Sequence, residues 1–539
     1  MCIVGMSKVM MTPKVPYLET CSNIKRIMQR CGIPGMSVAV LHKNQLVFAE
    51  GFGKRNQIDP YTIETLQPIA SLTKTFTAAA IGELVAEGKV DWDTTPINTY
   101  LPEFQLKDPI LTSQITFADL LSQYSGLPNN ILTWHKSTKP RKELIKGLRY
   151  YDDVPSQLGA NFNVNDVMYA VAGEAAAHVA GATSYEQLVL DKVIHPIGLT
   201  NTGFSQYKMR QLSQNYALSH MAYSFDAAQR GENRIFPLDD KPYMALAAAV
   251  DVYSNVLDLV RWGKVIMDLG AVDGKQVLNR MSVEETLKPH GADMGYGSDV
   301  TFFPDHDLVI AMLANTCTFG HVCSFLPFSI ATPMLNLPDV KVVKDEDGDD
   351  SWINGGAIPL VKEAYAGIEM IGEGIFLPIA VADRNPLMFA GDLKAYVGVY
   401  SHPFWGEFEI TLGDKEEEEV VVEVVEVVMV EEDGGDPSST TVTKEEEEKE
   451  SEDHVLRFRY NEYTSILEHY DQNMFIATFD DVLFKMRALM SFLPDTETLQ
   501  QGLSDSNEFP RENLQIQDLV GALGISNALF SKTKVLKTS

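Results

Sequence analysis

The amino-acid sequence predicts a mixed fold of helices and strands in two units, a large one over residues 21–335 and a smaller β-rich one over 391–487. Three observations carry this. Two apolar, β-branched segments with polar turns at their centres, residues 35–53 and 298–315, read as strand pairs. Between them lie segments of helical periodicity that end in glycine. Beyond residue 390, aromatic residues alternate with polar ones, as they do in short antiparallel strands. A chain of 539 residues also exceeds the ~250–300 at which a single core stops growing.

In chain order, residues 1–20 read as an N-terminal tail. GMSVAVLHKNQLVFAEGFG (35–53) predicts two strands around a turn at His42–Gln45. SLTKTFTAAAIGELVAEG (71–88) predicts a helix with Phe76, Ala80, Leu84 and Val85 on one face and Gly88 as its C-cap. AVAGEAAAHVAG (170–181) and SNVLDLVRWGKVIMDLG (254–270) predict further helices, each closed by glycine. SDVTFFPDHDLVIAMLAN (298–315) predicts a strand pair turning at Pro304–Asp307. KDEDGDD (344–350) marks a linker region, 336–390. GDLKAYVGVYSHPFWGEFEITLGD (391–414) and HVLRFRYNEYTSILEHYDQNMFIATF (454–479) predict the strands of the second unit. They are separated by an acidic low-complexity insert, 415–453, with 17 acidic residues against three lysines, a net charge of −14. Its like charges repel, so it reads as a solvated, disordered loop. The last stretch, 488–539, is an unassigned tail in which LQIQDLVGALG predicts a short helix.

The chain carries 44 basic and 74 acidic residues, a net charge of −30. That balance argues against nucleic acid and against an anionic membrane surface as partners. No run approaches the ~20 apolar residues of a membrane helix. MCIVGMSKVMMTPK at the N-terminus lacks the apolar core of a signal peptide, so the expected location is cytoplasmic and the five cysteines are expected to be reduced thiols. Cys317 and Cys323 flank His321, but a zinc site needs four ligands. No metal or other cofactor is expected.

The chemistry centres on Ser71 and Lys74 in IASLTKTF. A serine hydroxyl is a poor nucleophile until a base takes its proton. Residues i and i+3 share a helix face, so Lys74 can reach Ser71 Oγ. A buried lysine can lose its own proton and serve as that base. A serine at a helix N-terminus also gains backbone N–H groups that favour a developing oxyanion. The S-x-x-K spacing alone is weak, since Ser22–Lys25, Ser205–Lys208 and Ser531–Lys534 share it. Only Ser71 follows an apolar lead-in, Pro68-Ile69-Ala70, and opens a long amphipathic helix.

With these residues in view, the chain resembles the serine β-lactamase and penicillin-binding protein superfamily, in particular its class C-like branch of esterases, D-aminopeptidases and acyltransferases. PGMSVAVL (34–41) and GFG (51–53) resemble the family's opening strands, and residues 69–104 its nucleophile helix and exit. ITFADLLSQYSGLP (115–128) is similar to "ITxxxLLxHxSGLP", VIHPIGLTNTGF (193–204) to "PLGMxxTxF", and NVLDLVRW (255–262) to a "DxxRW" helix. YVGVYSHPFWGEFEI (396–410) resembles a small β-barrel-like domain often appended C-terminally. The resemblance implies an α+β, β-lactamase/transpeptidase-like fold: an antiparallel sheet flanked by helices, a helical subdomain and a small C-terminal β-domain. It also implies Ser71 as nucleophile and Lys74 as general base.

The resemblance breaks at the family's Tyr-x-Asn motif, whose tyrosine takes part in acid/base catalysis. Aligning ANFNVNDVMYAVAGE (160–174) through Phe162, Tyr169 and Gly173 puts Val164 at the tyrosine and Asp166 at the asparagine. Valine carries no proton. Asp166 can accept hydrogen bonds or hold Lys74 charged, and a charged lysine is no base. A register slipped by one aligns Asn165 instead and leaves Asn163 at the tyrosine. Candidate substitutes are Tyr124, beside the SGLP turn, and Tyr253 in a literal Tyr253-Ser254-Asn255. For the third motif, Lys-Thr-Gly or His-x-Gly, the candidate is His290-Gly291-Ala292. Here MSVEETLKPH runs almost directly into GADMGYGS, where relatives carry several dozen residues. Either the site wall is shortened or a segment is missing, in which case His290 belongs to an earlier position.

The expected function is a serine hydrolase or acyltransferase that forms an acyl-enzyme on Ser71. Its partners would be a small-molecule acyl donor, an ester, amide or thioester, and an acceptor, in the manner of relatives in secondary metabolism. The rival reading is a catalytically inactive member with a binding or scaffolding role.

Overall fold

A computed structural model of the chain describes residues 16–335 and 393–534. Outside the description within these spans are 128–138, 152–162, 223, 237–244, 287–296, 317–321, 323–325, 403–405, 415–453, 461–462, 472–473, 481–484, 494–512 and 519–527. His290, the linker, the acidic insert and Cys317, His321 and Cys323 therefore lie outside the described residues.

Helix α1 (Tyr17–Cys31) ends at Gly32, which is left-handed at φ +66°. The expected hairpin follows as β1 (Gly35–His42) and β2 (Gln45–Gly53). Lys43 and Asn44 both take positive φ in its two-residue turn, the geometry that matches the twist of the strands. A short strand β3 (Gln67–Pro68) and a 3₁₀ turn (Ala70–Leu72) lead into α2 (Thr73–Ala86). Next come α3 (Phe117–Leu121), α4 (Asp166–Ala180), β4 (Gly203–Phe204), α5 (Ala247–Val250), β5 (Val252–Ser254) and α6 (Val256–Met267). The expected second strand pair is β6 (Gly297–Phe303) and β7 (Leu308–Ala314), and α7 (Leu326–Leu335) comes after it. Among the described residues no helix is long and apolar enough to cross a membrane.

The main sheet is antiparallel in the order β6-β7-β1-β2. Its central strand β7 is apolar without a break, and β1 nearly so, because both faces are covered. Alternate residues of one strand serve two cores. Ala39, Val309, Ala311 and Leu313 face Phe76 and Leu84 of α2 and Trp262 of α6. Val38, Val40, Ile310 and Met312 face Ile24 and Ile27 of α1 and Ile330 of α7. Each large side chain buried in this way contributes ~1.5–3 kcal/mol. Helix α6 comes so close to the sheet that a Cβ on Gly263 would stand 2.4 Å from Val300 Cγ1, which only glycine avoids.

The second unit, among the described residues, is a closed antiparallel barrel. Its strands run in chain order: β8 (Gly398–His402), β9 (Gly406–Asp414), β10 (His454–Tyr460), β11 (Tyr463–Asp471), β12 (Met474–Asp480), β13 (Lys485–Leu493), β14 (Asn513–Asp518) and β15 (Ala528–Lys534). β8 pairs with β15 and closes the ring, which removes the free edges of an open sheet. Tyr400, Phe408, Ile410, Leu456 and Phe458 are fully or almost fully buried in it. The barrel corrects one expectation. The segment read as a short helix begins as strand β14, whose backbone pairs with β13 on one side and β15 on the other. The stretch read as an unassigned tail thus supplies strands that close the barrel.

The acidic insert joins two directly paired strands, since Asp414 stands opposite His454. Replacing residues 415–453 by an Asn-Gly turn is expected to keep the fold and to raise unfolding free energy by up to ~2–3 kcal/mol, because loop closure costs ~0.6 kcal/mol per doubling of loop length. Calorimetry of the shortened chain checks this, and a large loss would show that the insert packs.

Candidate active site

Ser71 lies in the 3₁₀ turn just ahead of α2, where the sequence predicts the helix itself to begin. The turn is held from two strands. Ile69 N–H donates to Val252 O at 2.8 Å, and Val252 N–H donates to Thr73 Oγ1 at 3.1 Å. From β6, Ser298 Oγ donates to Ile69 O at 2.7 Å. Ala70, buried and not glycine, sits at φ +48°. That conformation costs ~1–2 kcal/mol and persists only where the surroundings impose it, as they do at functional sites.

Lys74 is 9% exposed. Its Nζ donates to Ser71 Oγ at 2.9 Å and to Ala249 O at 3.5 Å, and it forms an ion pair with Asp166 Oδ1 at 2.8 Å. The carboxylate contact is close but lies off the hydrogen-bonding direction, so Oδ1 has the ammonium as an ion-pair partner only. The ring of Tyr169 lies 5.4 Å from Nζ. Such a cation–ring contact helps to hold an ammonium in a dry setting.

Asp166 opens α4, four residues before the segment the sequence singles out as helical. A carboxylate in the first turn of a long helix is favoured by the helix dipole. The residue before it, Asn165, is a structural cap. Its Oδ1 accepts from Val167 N–H at 3.0 Å, and its Nδ2 donates to Leu127 O at 3.2 Å. Gln123 pins the same segment from the turn after α3. Its Oε1 accepts from Asn165 N–H and its carbonyl from Asn163 N–H, both at 2.9 Å. Gln123 is buried and left-handed at φ +63°. It is not among the sequence candidates, although LLSQYSGLP departs there from the histidine of the family pattern. Ala249 contributes only a carbonyl, which leaves no side-chain signal to read.

The structure brings Ser71, Lys74 and Asp166 together, and neither candidate tyrosine hydrogen-bonds Ser71 Oγ or Lys74 Nζ. Tyr253, on β5, packs with Leu66 and Met209, with its ring over Gly203, where a Cβ would stand 2.6 Å from the hydroxyl. Burial, reinforced by the charge of Asp251, pushes its phenol up to about 12. Ser254 Oγ hydrogen-bonds Thr202 Oγ1, and Asn255 caps α6 by accepting from Asp258 N–H at 2.9 Å. That triplet joins a strand to a helix. Tyr124 stands exposed on the turn after α3. Tyr169 donates its hydroxyl to Leu121 O at 2.7 Å, and burial, with Asp166 nearby, raises it well above the usual phenol range. Among the described residues no phenol or imidazole hydrogen-bonds Ser71 Oγ.

An antiparallel sheet flanked by helices, with this serine–lysine pair beside its edge strand, is the class of the serine β-lactamases and penicillin-binding proteins. The family model described as Beta-lactamase matches residues 22–320, more than half of the chain, and the chain belongs to that family of serine hydrolases. "Beta-lactamase-like protein 2" of Dictyostelium discoideum is 23% identical over 306 residues, covering 54% of this chain and 52% of that protein. "Unguisins hydrolase ungD'" of Aspergillus campestris (strain IBT 28561) is 26% identical over 257 residues, 45% of this chain and 46% of that protein. The chain thus spans about half the length of the curated relatives it matches. Among solved structures, the octameric penicillin-binding protein homologue from Pyrococcus abyssi aligns with a TM-score of 0.49 at 17% identity, over 96% of this chain and all of that one.

Proposed function

We propose that the protein is a serine hydrolase or acyltransferase that carries its acyl group on Ser71. The observation that supports this reading is the 2.9 Å hydrogen bond between Ser71 Oγ and Lys74 Nζ, in a strained turn clamped by two strands. Ser71 Oγ attacks the carbonyl of a small ester, amide or thioester, its proton leaves through Lys74, and water or an acceptor nucleophile releases the acyl group. The Ser71 N–H, at the helix N-terminus, is a donor for the oxyanion. The relative named an unguisins hydrolase is in keeping with a hydrolytic reaction.

A second reading, a binding protein without activity, is favoured by the absence of a phenol or imidazole on Ser71 Oγ among the described residues. Mass spectrometry after treatment with a fluorophosphonate separates the two. The expected result is one adduct on Ser71, absent from Ser71→Ala, whose thermal midpoint stays close to that of the wild type. A folded wild-type chain without the adduct would favour the binding role.

A further inference from the structure

We infer that Asp166 is the proton acceptor of this site, working through Lys74, in place of the phenol that the family pattern has where Val164 stands. The inference rests on the acyl-enzyme reading and deepens it.

Ser71 Oγ has one hydrogen-bond partner among the described residues, Lys74 Nζ. An ammonium has no lone pair and cannot receive the serine proton. It must first give up a proton of its own. Among the described residues its other polar partners are Ala249 O and Asp166 Oδ1, and only the carboxylate can hold a proton. The off-axis approach of Oδ1 is corrected by rotation about the last torsion of aspartate, which is soft. Titratable groups on the surrounding elements offer no substitute. On α2, Glu83 lies two and a half turns from Lys74. In the first turn of α3, Asp119 is committed to a capping box with Thr116. On α4, the Tyr169 hydroxyl is engaged with Leu121 O. Asp251, the C-cap of α5, forms no ion pair with Lys74, whose partner is Asp166.

The protons balance. In acylation Lys74 passes one proton to Asp166, and the neutral amine takes the Ser71 proton as Oγ bonds to the acyl carbon. When the bond to the leaving group breaks, that group takes a proton from Lys74, which regains one from Asp166. Carboxylate and ammonium are restored, and the serine proton has left with the alcohol, amine or thiol. Deacylation repeats the cycle with water as nucleophile and Ser71 Oγ as leaving group. The carboxylate that departs from the family's asparagine therefore compensates for the lost tyrosine.

The test is the burst of p-nitrophenol from p-nitrophenyl acetate, followed with pH in wild type and Asp166→Asn, an isosteric change that keeps an acceptor for Lys74. Acylation is expected to fall ~10²–10⁴-fold in Asp166→Asn. The acid limb of the rate profile should vanish, with ester binding unchanged. Asp166→Ala guards against a folding defect, and added formate, a mobile carboxylate, should restore part of its rate. Acylation of Asp166→Asn at or above the wild-type rate, with an unaltered pH profile, would overturn the inference while leaving the acyl-enzyme reading in place. So would a folded Asp166→Ala that formate does not rescue. A wild-type chain that never acylates on Ser71 would overturn both.

Discussion

Lys74→Ala is expected to lower the rate of acyl transfer to Ser71 by ~10³-fold or more and to destabilise the fold by ~3–5 kcal/mol. The kinetic part comes from the geometry: Ser71 Oγ has only Lys74 to pass its proton to among the described residues. The stability part comes from the group left behind. The Asp166 side chain is 8% exposed and its ion-pair partner is Lys74, so truncation leaves a buried carboxylate without its counter-charge. The double variant Lys74→Ala/Asp166→Ala should be more stable than the single one, because it removes the stranded charge as well. Burst kinetics measure the first effect and urea unfolding of the single and double variants the second. A single variant as stable as the wild type would mean that the pair contributes nothing to the fold.

Phe76→Ala is expected to cost ~3–5 kcal/mol. Phe76 is fully buried one turn beyond the Ser71 turn and stacks on Trp262 of α6, with ring centroids 4.3 Å apart. Trp262 in turn donates Nε1–H to Thr75 Oγ1 at 3.1 Å. The pair fixes the rotation of α2 against α6, and with it the direction in which Lys74 points. Phe76→Leu, which keeps most of the volume, should recover much of the loss. Thermal unfolding of the two variants checks this, and equal midpoints would mean that the ring fills no essential space.

Much of the fold is legible in the sequence because its signals are local. The β1–β2 hairpin announces itself through β-branched residues on either side of Lys43-Asn44. The strand pair β6–β7 does so through an unbroken apolar run after a Pro-Asp turn. The start of α4 is less legible, since its cap, Asn165, reads in sequence as a candidate site residue. Strand β14 reads as helix in the sequence because its six residues of alternating character are too few to outweigh the helical look of Leu519-Val520-Gly521-Ala522-Leu523.

The sequence by itself determined the Ser71–Lys74 pair, since an i,i+3 spacing at a helix start fixes the neighbourhood without help from the rest of the chain. It also determined the family, through ordered motifs that span the matched region. Only the tertiary structure decided which of Asp166, Asn165, Tyr124 and Tyr253 pairs with Lys74, through the way α2, α4 and β5 pack. The packing of α4 against α2 put Asp166 on the ammonium, and pairing of β5 with β3 and β4 turned Tyr253 into the apolar cluster of Leu66 and Met209. Contacts between residues far apart in the chain arise from the burial of whole faces, which no local spacing encodes.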